Sequence, residues 1–395
     1  MKGKVAHESR LRLVYLIGFL GFGGSERQLF LLLSHMDLRD MEVHVVVFND
    51  SPGETYEVPL RALGVQVWQM PPEVRGVVAR ARYLLRLFRR LRPQVVHSWT
   101  FHDNVYAGLV GWLAGVPRRW GSLRNSYYAR EVQHLPAGLR WLALYSGQRL
   151  VVNSQALADE LRAARLPGRL PGRLPGRFPA GRILVLPNCV ELAADDAALP
   201  DLAEFGLEAR HQVVGIVGNL RYQKNHLLFV EAMAQVIAQQ PLARGLIVGQ
   251  PLPLNPGVAE EIRAAIARHG LQEKVLLAGF RADVPALMRR FDVLAMSSRY
   301  EGMPNVVMEG MAAGCPVVAT RVGGVPDLVV AGVNGFVVPP DDAAAFAAAV
   351  GRLLADPAGA RAMGEAGRRM AVEQFGCRQM AARLRAMYWE AIGNG

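Results

Sequence analysis

A succession of short apolar runs, with helix-forming stretches between them, sets the strongest limit on what this chain folds into. In the first half the runs are VYLIGF, VHVVVF, VQVWQM, VVHSW, RRWGSLR and RLVVNS; in the second they are VVGIVGN, RGLIVG, KVLLAGF, VLAMSS, PVVAT and GFVVP. Strands read as continuous apolar runs when both faces of their sheet are covered, and alternation with helices makes such sheets parallel. At 395 residues the chain exceeds the roughly 250–300 at which one core stops growing. Two doubly wound α/β domains are therefore expected, with ligands at the carboxyl ends of the strands and the cleft between the domains as the site.

Composition narrows the class. Half of the residues are hydrophobic (51%), which excludes a disordered chain. Cys189, Cys315 and Cys377 are scattered and form no C-x-x-C pair, so neither a disulfide framework nor a zinc site is expected, and a reducing compartment is. The opening MKGKVAHESRLRLVYLIGFLGFGG imitates a leader, with basic residues before an apolar run. It lacks a small-x-small cleavage pattern and is too short to span a bilayer. It reads instead as a strand, a glycine turn and a helix from Glu26 onward, in a cytoplasmic protein.

The formal charge is +11, and much of it lies in VRGVVARARYLLRLFRRLRP. There Arg75, Arg80, Arg82, Arg86, Arg89, Arg90 and Arg92 alternate with Val, Leu and Phe at helical spacing. Two readings stand side by side: a basic helix lying peripherally on an anionic inner membrane face, or an ordinary helix packed on a sheet. No zinc-finger or RNA-recognition signature supports nucleic acid as the partner. The repeat LPGRLPGRLPGRFPAGR, from Leu166, forbids helix and strand alike; it reads as a surface-loop insertion, with phosphate binding as the alternative.

The chemistry concentrates in EGMPNVVMEGMAAGCPVVAT. Glu301 and Glu309 bracket Pro304, which suits a helix's first turn and not its interior. A helix starting near Pro304 or Asn305 leaves Glu301 on the loop before it and Glu309 about one turn in. The free N–H groups of Asn305, Val306 and Val307 would then form an anion site between two hydroxyl-accepting carboxylates. Phosphate flanked by hydroxyls describes a nucleotide sugar. Farther back, GNLRYQKNHLLFVEAM sets Arg221 and Lys224 in the loop after a strand, where cations stabilise charge growing on a diphosphate leaving group.

These residues resemble the E-x7-E signature of retaining glycosyltransferases of the GT-B fold, family 4. The run EGMPNVVMEGMAAGCPVVATRVGGVPDLVVAGVNGFVVPPDD is similar to that family along its length, and GGSE is similar to the family's first-loop G-G-x-E. A dinucleotide fingerprint fails there, because Glu26 stands where the third glycine belongs. The resemblance implies a GT-B protein with an acceptor domain over 1–190, a nucleotide-sugar domain over 191–377 and a helix at 378–395 returning to the first. It implies that Glu309 holds the ribose, that Glu301 contacts the sugar hydroxyls, that the Asn305 and Val306 amides hold the diphosphate with Lys224 and Arg221, and that Asn219, Met303 and Pro304 belong to the nucleotide-sugar site. Phe280 and Arg281 would flank the base, and Gly23 and Gly24 would approach the donor phosphates or the acceptor.

Two departures from the family pattern matter. Asn219 takes the place of the usual arginine after the glycine, while Lys224 is in register. Where the family often has a histidine after the next strand, this chain has Arg124, leaving His97, His102 and Arg124 as candidates to orient the acceptor; His102 is carried as the acceptor-side catalytic residue. An arginine there favours an anionic acceptor group. No Asp-x-Asp triplet exists, so no metal is expected. The activity implied is a metal-independent, retaining hexosyl transfer from a UDP- or GDP-linked sugar to an envelope glycan, lipid-linked or small acceptor, with no further cofactor. A non-catalytic nucleotide-sugar sensor or scaffold of the same fold is the second class, and a nicotinamide-dependent oxidoreductase the third.

Overall fold

The computed structural model describes residues 10–51, 53–163, 178–192, 198–252 and 255–393. The first nine residues and the LPGR repeat up to residue 177 lie outside them. The chain divides into two compact units, one comprising the described residues up to Cys189 together with those from Cys377 onward, the other Val190–Gly376. Each division falls one residue before the expected boundary.

The first unit carries strands β1 (Leu11–Ile17), β2 (Met41–Val47), β3 (Gln66–Gln69), β4 (Val95–Ser98), β5 (Arg118–Leu123), β6 (Arg149–Val152) and β7 (Ile183–Val185). They form one parallel sheet in the order β3-β2-β1-β4-β5-β6-β7. Along β1, Leu13, Tyr15 and Ile17 enter one core and Val14 and Leu16 the core on the opposite face. Burial on both faces is why this strand reads as unbroken apolar sequence. The helix after it begins at Gly24, two residues ahead of the expected start, and runs to His35.

The closing helix, Cys377–Gly393, belongs to this unit and packs against the Gly24–His35 helix. It is keyed to the sheet by a buried polar chain. Tyr388 Oη meets Tyr15 Oη at 2.7 Å and His97 Nδ1 at 2.7 Å, and His97 Nε2 meets Ser122 Oγ at 2.9 Å. All four side chains are fully buried, so each hydroxyl and ring nitrogen needs such a partner.

The second unit carries β8 (Gln212–Val217), β9 (Ala243–Val248), β10 (Val275–Gly279), β11 (Val293–Met296), β12 (Val317–Thr320) and β13 (Gly335–Val338). They form a parallel sheet in the order β10-β9-β8-β11-β12-β13. Its two faces are again both covered: Val293 and Ala295 enter one core, Leu294 and Met296 the other. In each unit the strand order reverses in the middle, between β1 and β4 and between β8 and β11. That reversal parts the loops at the carboxyl ends of the strands and opens a crevice for a ligand.

Candidate active site

In the second unit the switch point brings together the two sequence segments that carry the chemistry. Strands β8 and β11 are paired neighbours, with Val214 opposite Val293 and Ile216 opposite Ala295. The loop after β8 holds Arg221 and Lys224; the loop after β11 holds Glu301. Lys224 Nζ lies 2.7 Å from Glu301 Oε1, and Ser298 Oγ donates to the same oxygen at 2.7 Å. Both partners of the ion pair are largely withdrawn from solvent, which strengthens it beyond an ordinary surface pair.

The two loops are stitched along their length. Ser297 Oγ donates to the carbonyls of Lys224 and Asn225. The Arg299 amide donates to the Gln223 carbonyl, and Gln223 Nε2 to the Tyr300 carbonyl. The Arg299 guanidinium lies 4.1 Å over the Tyr222 ring and donates to the Tyr222 carbonyl. Lys224 ends a short 3-10 turn, and Asn225 takes the left-handed conformation (φ 50°), its Nδ2 donating to Asp341 Oδ1 at 2.8 Å. His226, next in sequence, is buried; burial first and the Lys224 cation second pull its pKa down to about 4, so the ring is neutral at pH 7.

The helix Asn305–Ala312 starts where Pro304 requires, with Pro304 as its N-cap. Glu301 precedes it on the loop and Glu309 sits in it, half-buried. One expectation is corrected: the Val307 amide donates to the Pro304 carbonyl, a tightening of the first turn, so it is not an open donor. The Val306 amide meets no backbone carbonyl among the described residues. A glycine turn closes on this loop from the other side. Gly324 N donates to the Gly302 carbonyl at 2.6 Å, and a Cβ on Gly323 (φ 47°) would collide with the Glu301 carbonyl.

The remaining donor-side candidates differ in state. Arg221 is exposed; Asn219 accepts from the Gln250 amide at 3.4 Å. Phe280 is exposed after β10. Arg281 is clamped by the carboxylates of Glu204 and Asp283, contacts of 2.7–3.0 Å that hold its pKa above the usual range. Met303 and Pro304 are buried under the loop. Ser298, Arg299 and Asp341 went unremarked in the sequence; only their adjacency to the Glu301 motif marks the first two, while Gly323 falls in the run RVGGVPDLV, which reads as a glycine turn opening another helix.

In the first unit the candidates fall into two kinds. His97 is a structural histidine: it sits inside the Tyr388 chain, and burial followed by the Arg124 cation drives its pKa down to about 3. His102 is exposed on a 3-10 turn after β4. Beside it Asp103 is buried and accepts from Thr100 Oγ1; burial raises its pKa to about 6 against that hydrogen bond and the Arg80 cation. Arg124, after β5, stacks 3.5 Å over the Trp99 ring and donates to Asn188 Oδ1 at 3.0 Å. Burial lowers its pKa to about 10, which leaves it cationic at neutral pH. Gly23 caps the Gly24–His35 helix, and a Cβ there would run into the Glu26 carboxylate, which folds back over the turn.

Residues 211–356 match the family described as glycosyl transferases group 1, and residues 22–171 match Glycosyltransferase Family 4. The chain is 32% identical over 329 residues to a D-inositol 3-phosphate glycosyltransferase of Segniliparus rotundus, across 77% of this chain and 70% of the relative. It is 31% identical over 223 residues to a lipopolysaccharide core biosynthesis mannosyltransferase of Rhizobium leguminosarum bv. viciae, across 54% of this chain. The match spans 63% of the length of that relative and 53% of a second one, from Rhizobium meliloti. Among solved structures, Anabaena HepE in complex with UDP superposes with a TM-score of 0.80 at 22% identity, over 96% of this chain and all of that one. The sucrose-phosphate synthase of Thermosynechococcus elongatus superposes with a TM-score of 0.76 at 21% identity, over 98% of this chain and all of that one. Both likenesses are of fold: two Rossmann-like α/β domains of the GT-B class.

Proposed function

The chain belongs to the group 1, family 4 glycosyltransferases, and on that footing we propose that it moves a hexose from a nucleotide diphosphate sugar to an acceptor with retention of configuration. The observation that carries this reading is the Lys224–Glu301 ion pair at the β8–β11 switch point, beside the start of the Asn305 helix. In the proposed reaction the Asn305 and Val306 amides, Lys224 and Arg221 face the diphosphate. As the glycosidic bond breaks, these donors and cations stabilise the charge growing on the leaving group. Glu309 holds the ribose and Glu301 the sugar hydroxyls. Glu301 also keeps the Lys224 ammonium in place, so sugar recognition and leaving-group stabilisation share one hydrogen-bonded unit. No metal ion takes part.

The acceptor side is assigned to the first unit. Arg124, with its guanidinium held flat on Trp99, suits an anionic group on the acceptor. Relatives act on lipopolysaccharide core and on inositol 3-phosphate by name, and an envelope glycan or lipid-linked acceptor is proposed here on that ground. The reading extends to an anionic membrane surface as partner. Among the described residues no helix is long and apolar enough to cross a membrane. The helix Val77–Leu91 exposes Arg82, Arg86, Arg89 and Arg90. A neighbouring helical segment exposes Trp112 and Leu113. An open groove of about 550 Å³ lined by Arg12, Arg89 and Arg92 is the proposed seat of a lipid phosphate.

The test is a thermal-shift panel of UDP- and GDP-sugars, followed by an assay of nucleoside diphosphate release with glycan and lipid-linked acceptors. A stabilising donor that is also turned over supports the transferase. A donor that stabilises the protein and is never consumed supports the sensor reading. The absence of stabilisation by any donor overturns both.

A further inference from the structure

The cysteines at the two places where the chain passes between its units lie against each other. Cys189 is the last residue of the first unit before the chain leaves it, and Cys377 the first on its return. They are 188 positions apart in sequence, yet their Sγ atoms are 3.0 Å apart and both side chains are buried. The surrounding backbone is held in register. Gln28 makes a two-way amide contact with Cys189, its Oε1 accepting from the Cys189 amide at 2.7 Å and its Nε2 donating to the Cys189 carbonyl at 2.8 Å. On the next residues Val190 pairs with Gly376 as a parallel bridge, and the Val190 amide donates to the Phe375 carbonyl. The two passages are thus pinned side by side, with the thiols facing.

We propose that Cys189 and Cys377 are a reversible disulfide site. A disulfide needs its sulfurs about 2.05 Å apart, so closure asks for a movement of roughly 1 Å. The Arg124 guanidinium lies within electrostatic reach of Cys189, and the thiolate is the attacking form of a cysteine. With a low-molecular-weight disulfide such as oxidised glutathione as oxidant, the Cys189 thiolate attacks one of its sulfurs and releases one glutathione thiolate. The Cys377 thiolate then attacks the Cys189 side of the mixed disulfide and releases the second. The two cysteines lose two electrons and two protons in all, and one oxidised glutathione becomes two reduced ones. Because both thiols are buried, the first attack proceeds through local opening and is slow. The bond closes a very long loop, so it restricts the unfolded chain strongly. Cys315 is the internal control. It is buried, its thiol donates to the Met288 carbonyl at 2.8 Å, and burial pushes its pKa up to about 12.

The experiment incubates the full-length protein under native conditions with oxidised glutathione, alkylates the remaining thiols and maps the peptides by mass spectrometry. The expected result is a Cys189–Cys377 cross-linked peptide, an alkylated Cys315, and a melting temperature several degrees above that of the reduced protein. Dithiothreitol should reverse both changes, and Cys377→Ser should abolish both. Should that variant fail to fold, the wild-type map and the paired melting temperatures decide alone. Three alkylated thiols after prolonged exposure, or a stable glutathione adduct on either cysteine without the cross-link, would overturn the proposal.

Discussion

At the residue scale one oxygen ties the two loops of the second unit together. Glu301 Oε1 receives both the Lys224 ammonium and the Ser298 hydroxyl, so removing the carboxylate strands a partly buried cation and frees its loop. Glu301→Ala should therefore lower turnover with a small effect on donor affinity, whereas Glu309→Ala should weaken donor binding. Steady-state kinetics and calorimetric titration of the donor separate the two; equal, slight effects from both would leave only a pair of solvated glutamates. A second residue-scale expectation concerns acid. His97 and His226 are neutral in the fold, with pKa values near 3 and 4 against an unfolded value of about 6.5. Their contribution is complete above pH 6.5 and is lost as pH falls toward 4, on the order of 4 kcal/mol from His97. Asp103 opposes this. Its pKa is raised to about 6, so it costs stability above pH 6 and returns it as pH falls to about 4. Asp103→Asn should stabilise the protein at pH 7 by up to about 3 kcal/mol and make the loss between pH 6 and 4 steeper, as read from melting temperature against pH. An unchanged profile would mean that Asp103 is solvated.

Much of this was legible from residue order, and the reason is local. Pro304 dictates where a helix can begin, so the positions of Glu301 and Glu309 follow from covalent constraints. Lys224 was legible through its offset from the glycine after a strand. Ser298 was not, because a serine at a strand end has no periodic signature, although the carboxylate it meets lies only three residues on. Arg281 shows the same limit in reverse. Its sequence context points at a base, and the fold clamps it between Glu204 and Asp283, partners that only tertiary structure reveals.

At the element scale, close approach of backbones decides what the site tolerates. Gly323 lets its turn lie against the Glu301 carbonyl, at a backbone conformation that side chains rarely adopt. Gly323→Ala should cost about 1–3 kcal/mol and loosen donor binding, because the loop it presses on holds Glu301. Chemical denaturation together with donor titration checks both. The closing helix depends on a different device. Tyr388→Phe removes the hydroxyl shared by Tyr15 and His97, leaving buried partners unmatched at about 1–3 kcal/mol. Unchanged stability in that variant would show that the two groups pair with each other or with water instead. The strands themselves were readable because both faces of each sheet are buried. The polar chain through Tyr15, His97, Ser122 and Tyr388 was not, since its members come from three strands and the far end of the sequence.

At the scale of the whole molecule, two sheets of the same winding each present a switch point, and the two carry different chemistry. The one in the second unit gathers Lys224, Glu301 and a helix start, the site proposed for a diphosphate and a sugar. In the first, Asp103 and Trp99 follow β4, and Arg124, after the next strand, lies over the Trp99 ring. Cosedimentation with vesicles rich in anionic lipid should retain the protein at low salt and release it at high salt, and replacing Arg82, Arg86 and Arg89 together with glutamine should weaken retention at least tenfold. Equal binding to neutral vesicles would remove the arginine helix from the account. Nucleoside diphosphate release by the wild-type protein and by Lys224→Ala, each with the donor that stabilises the fold and with its best acceptor, decides whether Lys224 acts on the leaving group. Release by the wild type, unaffected by chelators, and a loss of about 10²–10³-fold in the variant are expected. A Lys224→Ala enzyme that releases the nucleotide at the wild-type rate would contradict that role.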